Sequence, residues 1–300
     1  MECVREAGRP YDALVVLDAD TQVDPQFLHF VDAGLAQGHR IVQRRHIIAN
    51  PEDGPYPALA WVMMTLDNRL QNQGRSNFGG SARLMGDSIC YQAGILEQAG
   101  WQGDSLTEDY DLCLRLLLEV ARIHYLAEAV GRGKAPLTWA DARRQRARWL
   151  VGSRQARRRY SGLLLRAFIQ RPCFALLDGF LQTMLLPYSP LVVVSGLLWA
   201  DHIALTLAGL VGPALPGAWS TALFLLALYP FLGLALERAP AWAYRALLFG
   251  PFFILWRTGM DVLVQLGWEK SVRGTDAAEN SAETIREILS TTTQILSHTV

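Results

Sequence analysis

Residues 174–236 contain no lysine or arginine, whereas residues 143–171 contain ten arginines and no lysine. That segregation constrains the fold more than any other feature. A long cation-free apolar run fits poorly on the surface of a water-soluble domain. A bilayer accepts it as helices and holds the cationic flank at its headgroups. The formal net charge over 300 residues is zero, so no global field draws nucleic acid. Cys3, Cys90, Cys113 and Cys173 lack paired spacing and suggest neither a disulfide framework nor a zinc site. A reducing cytosolic face for the globular part fits. The start, Met-Glu-Cys-Val-Arg-Glu, has no apolar signal core, so membrane targeting is expected from internal segments.

Ahead of the arginine block, short apolar runs alternate with helical patterns. Residues 11–17 read as a buried parallel strand ending at Asp18, and Pro25 opens a helix to about Leu35. A strand is predicted over 39–46, a Pro- and Gly-rich loop over 50–57, a helix over 58–72 and a glycine-rich loop over 73–80. Then follow a short strand over 88–91, a short helix over 93–99, and a capping box from Ser105 to Glu108 that opens a helix to about Glu119. Residues 123–126 are the next strand. This alternation predicts an α/β layered domain over residues 1–140. A basic interfacial helix region over 141–173, a membrane region over 174–266 and a polar tail over 267–300 complete the chain. Residues 181–211 and 219–236 read as two crossings. Residues 245–266 hold Arg257, Asp261 and Gln265 and read as an amphipathic helix lying in the interface. Two crossings keep the arginine block, Arg238, Arg245, Arg257 and Lys270 on the cytoplasmic side.

Three clusters carry the chemistry: Asp18-Ala19-Asp20 at a strand exit, Thr107-Glu108-Asp109 at a helix start, and Gln145-Arg146-Ala147-Arg148-Trp149 at the foot of the membrane segments. With Trp268-Glu269-Lys270-Ser271-Val272-Arg273 as a fourth element, this ordered set resembles the family 2 glycosyltransferases. The likeness is to the processive membrane synthases of the cellulose, chitin and hyaluronan type, and it covers roughly residues 11–275. It implies a GT-A-like nucleotide-sugar domain joined to membrane helices. The implied activity is inverting transfer from a nucleotide sugar, a UDP-sugar in the usual case, to a polysaccharide or lipid-linked acceptor. The implied location is the cytoplasmic face of a bacterial inner membrane.

The residues suit that chemistry. Asp18 and Asp20 can aim oxygens at one hard ion, Mg²⁺ or Mn²⁺, beside the departing diphosphate. Asp109, in the first turn of its helix, is the expected general base, its ionised form favoured by the helix dipole. Glu108 either orients it or supports the helix start. The Trp149 indole either stacks on a sugar ring or anchors at the interface. Arg148 or Arg146 can grip a diphosphate beside Gln145. The flanking arginines read as contacts to anionic headgroups. The loop Phe78-Gly79-Gly80-Ser81 is either a border of the acceptor site or an ordinary turn. No histidine shows ligand spacing.

One departure from the family pattern matters. Only seventeen residues precede Asp18, whereas the family places its first strands and a uridine-contacting aspartate well ahead of that point. The expectation is therefore a partial GT-A-like domain with an exposed sheet edge. A catalytically incomplete membrane subunit partnering an intact synthase is the alternative. A haloacid-dehalogenase-like phosphatase is a minor one, opposed by Gln22 where that pattern needs Thr or Val.

Overall fold

Apolar runs bounded by turn residues form a five-stranded mixed sheet: β1 (Ala13–Val16), β2 (Gln22–Val23), β3 (Ile41–Ile48), β4 (Ile89–Gln92) and β5 (Ile123–Gly133), in spatial order β1-β4-β3-β5-β2. This computed structural model describes residues 11–95, 107–119 and 121–266. The helix expected over 93–99 falls largely outside those residues, as do Ser105 and the Trp268–Arg273 element. Only β3 and β5 run parallel; the other three pairings are antiparallel. The first strand is thus corrected from buried and parallel to half-buried and antiparallel, lying at the sheet edge beside β4. An apolar run requires cover on its faces, and either strand direction satisfies that. β5 continues seven residues beyond its expected end, through a small and polar stretch paired with β3 across a register shift at Arg44/Arg45.

Alternation along the strands sends side chains to two faces, each covered by helix. Helix α1 (Phe27–Ala36) sets Phe27 and Val31 against Val42, Cys90 and Ala129. Helix α2 (Pro55–Leu66) starts on a proline, inside the segment read as loop, and continues through a π-helical stretch (Asp67–Gln73) into α3 (Gly74–Asn77). The wider π turn aims Asn68 and Asn72 inward. Asn68 Nδ2 donates to His46 O at 2.6 Å, and Asn72 Oδ1 accepts from Arg83 N at 2.9 Å. Helix α4 (Glu108–Leu118) buries Leu112, Cys113 and Leu116 on the opposite sheet face, against Ile41, Ile89, Tyr91 and Ile123.

The arginine-rich stretch forms one helix of 32 residues, α5 (Trp139–Gln170), capped by the Thr138 hydroxyl, which accepts from Asp141 N at 3.1 Å. It stays helical through Gln170 because its apolar stripe stays covered. Tyr160 and Leu164 pack on Tyr110, Leu114 and Leu117 of α4, and on Leu176 of α6 (Phe174–Met184). Beyond it, α7 (Tyr188–Leu207) and α8 (Ala214–Leu236) form an antiparallel hairpin, stacked at Tyr188–Tyr229 and joined by Trp199 Nε1 donating to Ser220 Oγ at 2.8 Å. Among the described residues three ion pairs fasten this region to the sheet domain, Arg75–Asp178 at 2.9 Å, Arg45–Glu237 at 2.6 Å and Arg69–Glu237 at 3.5 Å.

Among the described residues three stretches are long and apolar enough to cross a membrane: Tyr188–Leu207, Ala214–Leu236 and Ala241–Gln265, of 20, 23 and 25 residues. The third contains α9 (Ala241–Ala246) and α10 (Gly250–Gln265) and includes the segment read from sequence as interfacial. α10 runs parallel to the first half of α5, with Phe253 and Trp256 on Trp139, then Met260 and Val264 on Ala147, Leu150 and Val151. Phe252, Leu255, Val262 and Leu263 remain exposed on its outer face.

Candidate active site

The site begins with a buried cation in a strand. Arg44 of β3 is 0% exposed, and Gly131 of β5 gives it room, since a Cβ there would lie 2.7 Å from Arg44 Cζ. Arg44 Nη1 donates to Gly131 O and Arg45 O, both at 2.9 Å, while Nη2 pairs with Asp87. A buried guanidinium of this kind requires such a partner. Asp87, 4% exposed, also accepts from Asp18 N at 3.2 Å, Thr21 Oγ1 at 2.7 Å and Ser88 Oγ at 2.8 Å. Burial alone would push its carboxyl up. His46, Arg44, Thr21 and Ser88 outweigh burial and hold it well below the usual carboxylate range. Asp87 is therefore a fixed anion that ties the Asp18–Asp20 turn to β3 and β4.

Asp18 has the opposite surroundings. Burial, then Asp87, Asp20 and Glu108, push its carboxyl up, with Arg44 opposing. Negative charge converges there without full compensation, and a cation relieves it. Among the described residues no group of three or more His, Cys, Asp or Glu side chains forms a dedicated metal cage. The uncompensated carboxylate of Asp18, with Asp20 acting on it, is the donor type that a hard ion would take.

Asp109 lies across a single glycine from Asp87. Gly86 adopts φ +80°, and a Cβ there would sit 3.3 Å from Asp109 Oδ2. Burial pushes the Asp109 carboxyl up, against the Tyr110 backbone N–H and Arg83, while Glu108 adds to the rise. The helix N-terminus, expected to set this group's charge, is outweighed by desolvation. Arg83 lies 4.6 Å over the Tyr110 ring beside it. Glu108 is exposed and acts electrostatically on both Asp18 and Asp109, so it bridges the first two clusters. The N-cap of α4 is Thr107, which moves the helix start away from Ser105.

Thr107 also seats the third cluster. A Cβ on Gly152 of α5 would lie 2.8 Å from Thr107 N, so the helix can approach this closely only with glycine there. One turn earlier the motif divides. Trp149 is 42% exposed and Arg148 is exposed, whereas Gln145 and Arg146 are half-buried. Burial lowers the Arg146 guanidinium, opposed by Asp261, Tyr56 and Asp67. Arg148 therefore keeps its guanidinium toward solvent, and Arg146 faces α10. Asp87, Asp20 and Glu108 act on Asp18, Glu108 also acts on Asp109, and α5 meets the start of α4 at Thr107 through Gly152. Among the described residues Arg148 and Trp149 make no hydrogen bond to that acidic group.

The Phe78–Ser81 loop has a different use. Gly80 O accepts from Arg122 Nη2 at 3.1 Å, and Ser81 Oγ accepts from Ile123 N at 2.9 Å. These contacts pin the start of β5, the opposite end from Gly131. Arg44, Arg83, Gly86 and Asp87 escaped the motif reading. Two signals point to them: an arginine inside the apolar alternation Ile41-Val42-Gln43-Arg44, and an Asp at the mouth of a strand, mirroring Asp18 at a strand exit.

Comparison with known proteins fits this geometry. The chain is 30% identical over 157 residues to the beta-monoglucosyldiacylglycerol synthases of Trichormus variabilis and of Nostoc sp., covering 52% of this chain and 33% of each relative. It is 25% identical over 159 residues to glucomannan 4-beta-mannosyltransferase 7 of Arabidopsis thaliana, covering 52% of this chain and 29% of that protein. The match therefore spans a third or less of the length of these curated relatives. The model of glycosyl transferase family group 2 matches residues 13–256, from the first residue of β1 into α10, and the chain belongs to that family.

Proposed function

We propose that the chain transfers a sugar from a nucleotide sugar, a UDP-sugar by preference, to a glycan or lipid-linked acceptor at the cytoplasmic membrane face, with inversion. The observation that carries this reading is the pairing of two carboxylates across Gly86. Asp87 is held as an anion by its donors, and burial raises the Asp109 carboxyl above its ordinary value. In the proposed step the acceptor hydroxyl attacks the anomeric carbon and gives its proton to Asp109, and the bond to the diphosphate breaks. Glu108 raises the affinity of Asp109 for that proton. Arg148 holds diphosphate oxygens, and the Trp149 face holds a sugar ring. Asp18 and Asp20 would hold a Mg²⁺ or Mn²⁺ ion, which supplies charge neutralisation at the departing diphosphate.

The membrane part of the reading rests on three apolar helices of spanning length fastened to the sheet domain. The relatives' names, a monoglucosyldiacylglycerol synthase and a glucomannan mannosyltransferase, support lipid and glycan acceptors alike. The test is nucleoside diphosphate release by membranes carrying the chain, with Mg²⁺ or Mn²⁺ and a panel of nucleotide sugars. Metal-dependent release that is absent from Asp20→Ala membranes is the expected result. Release that survives chelation and Asp20→Ala alike would remove the metal from this site.

A further inference from the structure

Two glycines share one face of β5, and each makes room for a side chain of β3. Gly131 opens space for Arg44, and a Cβ at Gly133 would lie 3.1 Å from His46 Cε1. Residues two apart in a strand point the same way, so Arg44 and His46 lie side by side over these glycines. The His46 side chain is 16% exposed. Its backbone is clamped by the π-helical stretch: Asn68 Nδ2 donates to His46 O at 2.6 Å, and His46 N donates to Asn68 Oδ1 at 3.4 Å. The ring is therefore held in place from two sides.

The hydrogens of the Arg44 guanidinium show what the ring does. Nη1 donates to Gly131 O and Arg45 O, and Nε is buried without a hydrogen-bond partner. Nη2 has two hydrogens. One goes to Asp87, and His46 Nδ1 lies 3.0 Å from the same nitrogen. Nδ1 also faces Asp87 Oδ2, but at 3.6 Å, beyond hydrogen-bond reach. A guanidinium only donates, so the shorter contact makes Nδ1 an acceptor and leaves the ring hydrogen on Nε2. Without that acceptor Arg44 would bury a second orphaned N–H and lose a contact that sets how Nη2 meets Asp87. Asp87 in turn accepts from Asp18 N and Thr21 Oγ1, on either side of Asp20. We propose that His46 is a positioning residue for transfer: as an acceptor it aims Arg44 at Asp87, and through Asp87 it holds the Asp18–Asp20 turn for the donor diphosphate. The inference rests on the transfer reading given to Asp18 and Asp20.

The first measurement needs no transfer. In the full chain labelled with ¹⁵N-histidine, the His46 Nδ1 resonance is assigned by its loss in His46→Asn. It is expected at the chemical shift of an unprotonated nitrogen at neutral pH, and a protonated Nδ1 would overturn the proposal. The second measurement separates positioning from folding. His46→Asn sets an amide oxygen near the place of Nδ1 and is expected to keep the donor KM within about twofold of the unmodified chain. His46→Leu has no acceptor. It is expected to raise the donor KM about tenfold or more, the worth of a hydrogen bond lost to a charged group, with a smaller fall in kcat. A purely structural role would lower the amount of active chain and leave KM unchanged. That result, or equal KM values for the two variants, would overturn the proposal. Should the leucine variant fail to fold, a raised KM in His46→Asn would do so instead. Nucleotide release absent from the unmodified chain would strike the transfer reading itself, and the nitrogen shift would then decide the His46–Arg44 contact on its own.

Discussion

Asp87 and Asp109 sit on either side of Gly86, and the fold treats them in opposite ways. At the β3–β4 corner a buried guanidinium, two hydroxyls and a backbone amide donate to the Asp87 carboxylate. At the start of α4 desolvation runs ahead of the helix amides and of Arg83, and the Asp109 proton is held more tightly than in water. The first corner uses a carboxylate as scaffold, and the second holds the one we propose for proton transfer. Two acids whose environments drive them apart are a physical mark of divided labour.

The largest effect should come from the reactive corner. Asp109→Asn is expected to lower the transfer rate by about 10²- to 10⁴-fold, the usual contribution of a positioned general base, read as nucleoside diphosphate release under saturating donor. Next comes the scaffold. Asp87→Ala leaves the Arg44 guanidinium buried without its partner and should cost about 3–5 kcal/mol of stability, measured by denaturant unfolding of the solubilised chain. Gly131→Ala should act in the same direction by forcing Arg44 aside, and an unchanged midpoint there would mean that the guanidinium has another place to go.

The order of elements was legible in the sequence because apolar runs, Pro25 and the Thr107 helix start are local signals. So was the membrane region, because residues 174–236 lack any cation. Strand direction was not legible: β1 pairs antiparallel with β4, and the 72 residues 17–88 lie between the end of one and the start of the other. The second half of β5 was hidden because Ala127-Glu128-Ala129-Val130-Gly131 has little strand character, and the Arg44 guanidinium needs its glycine. The candidate acids at residues 18, 20, 108 and 109 stood out as motifs. Asp87, which organises them, did not, because its meaning comes from Arg44, 43 residues away. The split between Arg146 and Arg148 depends on where α10 packs, which no local pattern encodes.

Smaller effects sharpen the contrast through pH. The Asp87 pKa is lowered on folding, so its contribution to stability is present above the unfolded aspartate value of about 3.9 and is lost as pH falls toward the folded value. The Asp109 pKa is raised on folding, so its contribution is present below that value and is lost as pH rises through the folded one. At neutral pH Asp87→Asn should therefore lower the melting temperature and Asp109→Asn should raise it slightly. Shifts of the same sign would erase the distinction between the corners. Gly152→Ala, whose methyl would meet the Thr107 backbone N at 2.8 Å, should force α5 away from α4 and lower both melting temperature and turnover.

The most direct test of the central claim measures nucleotide affinity and transfer rate together in Asp109→Asn, using the full chain in membranes. A large loss of rate with donor affinity retained, and absence of the rise in rate with pH that a base at Asp109 should give the unmodified chain, is the expected result. A parallel fall in affinity and rate, with the pH dependence unchanged, would contradict Asp109 as the base.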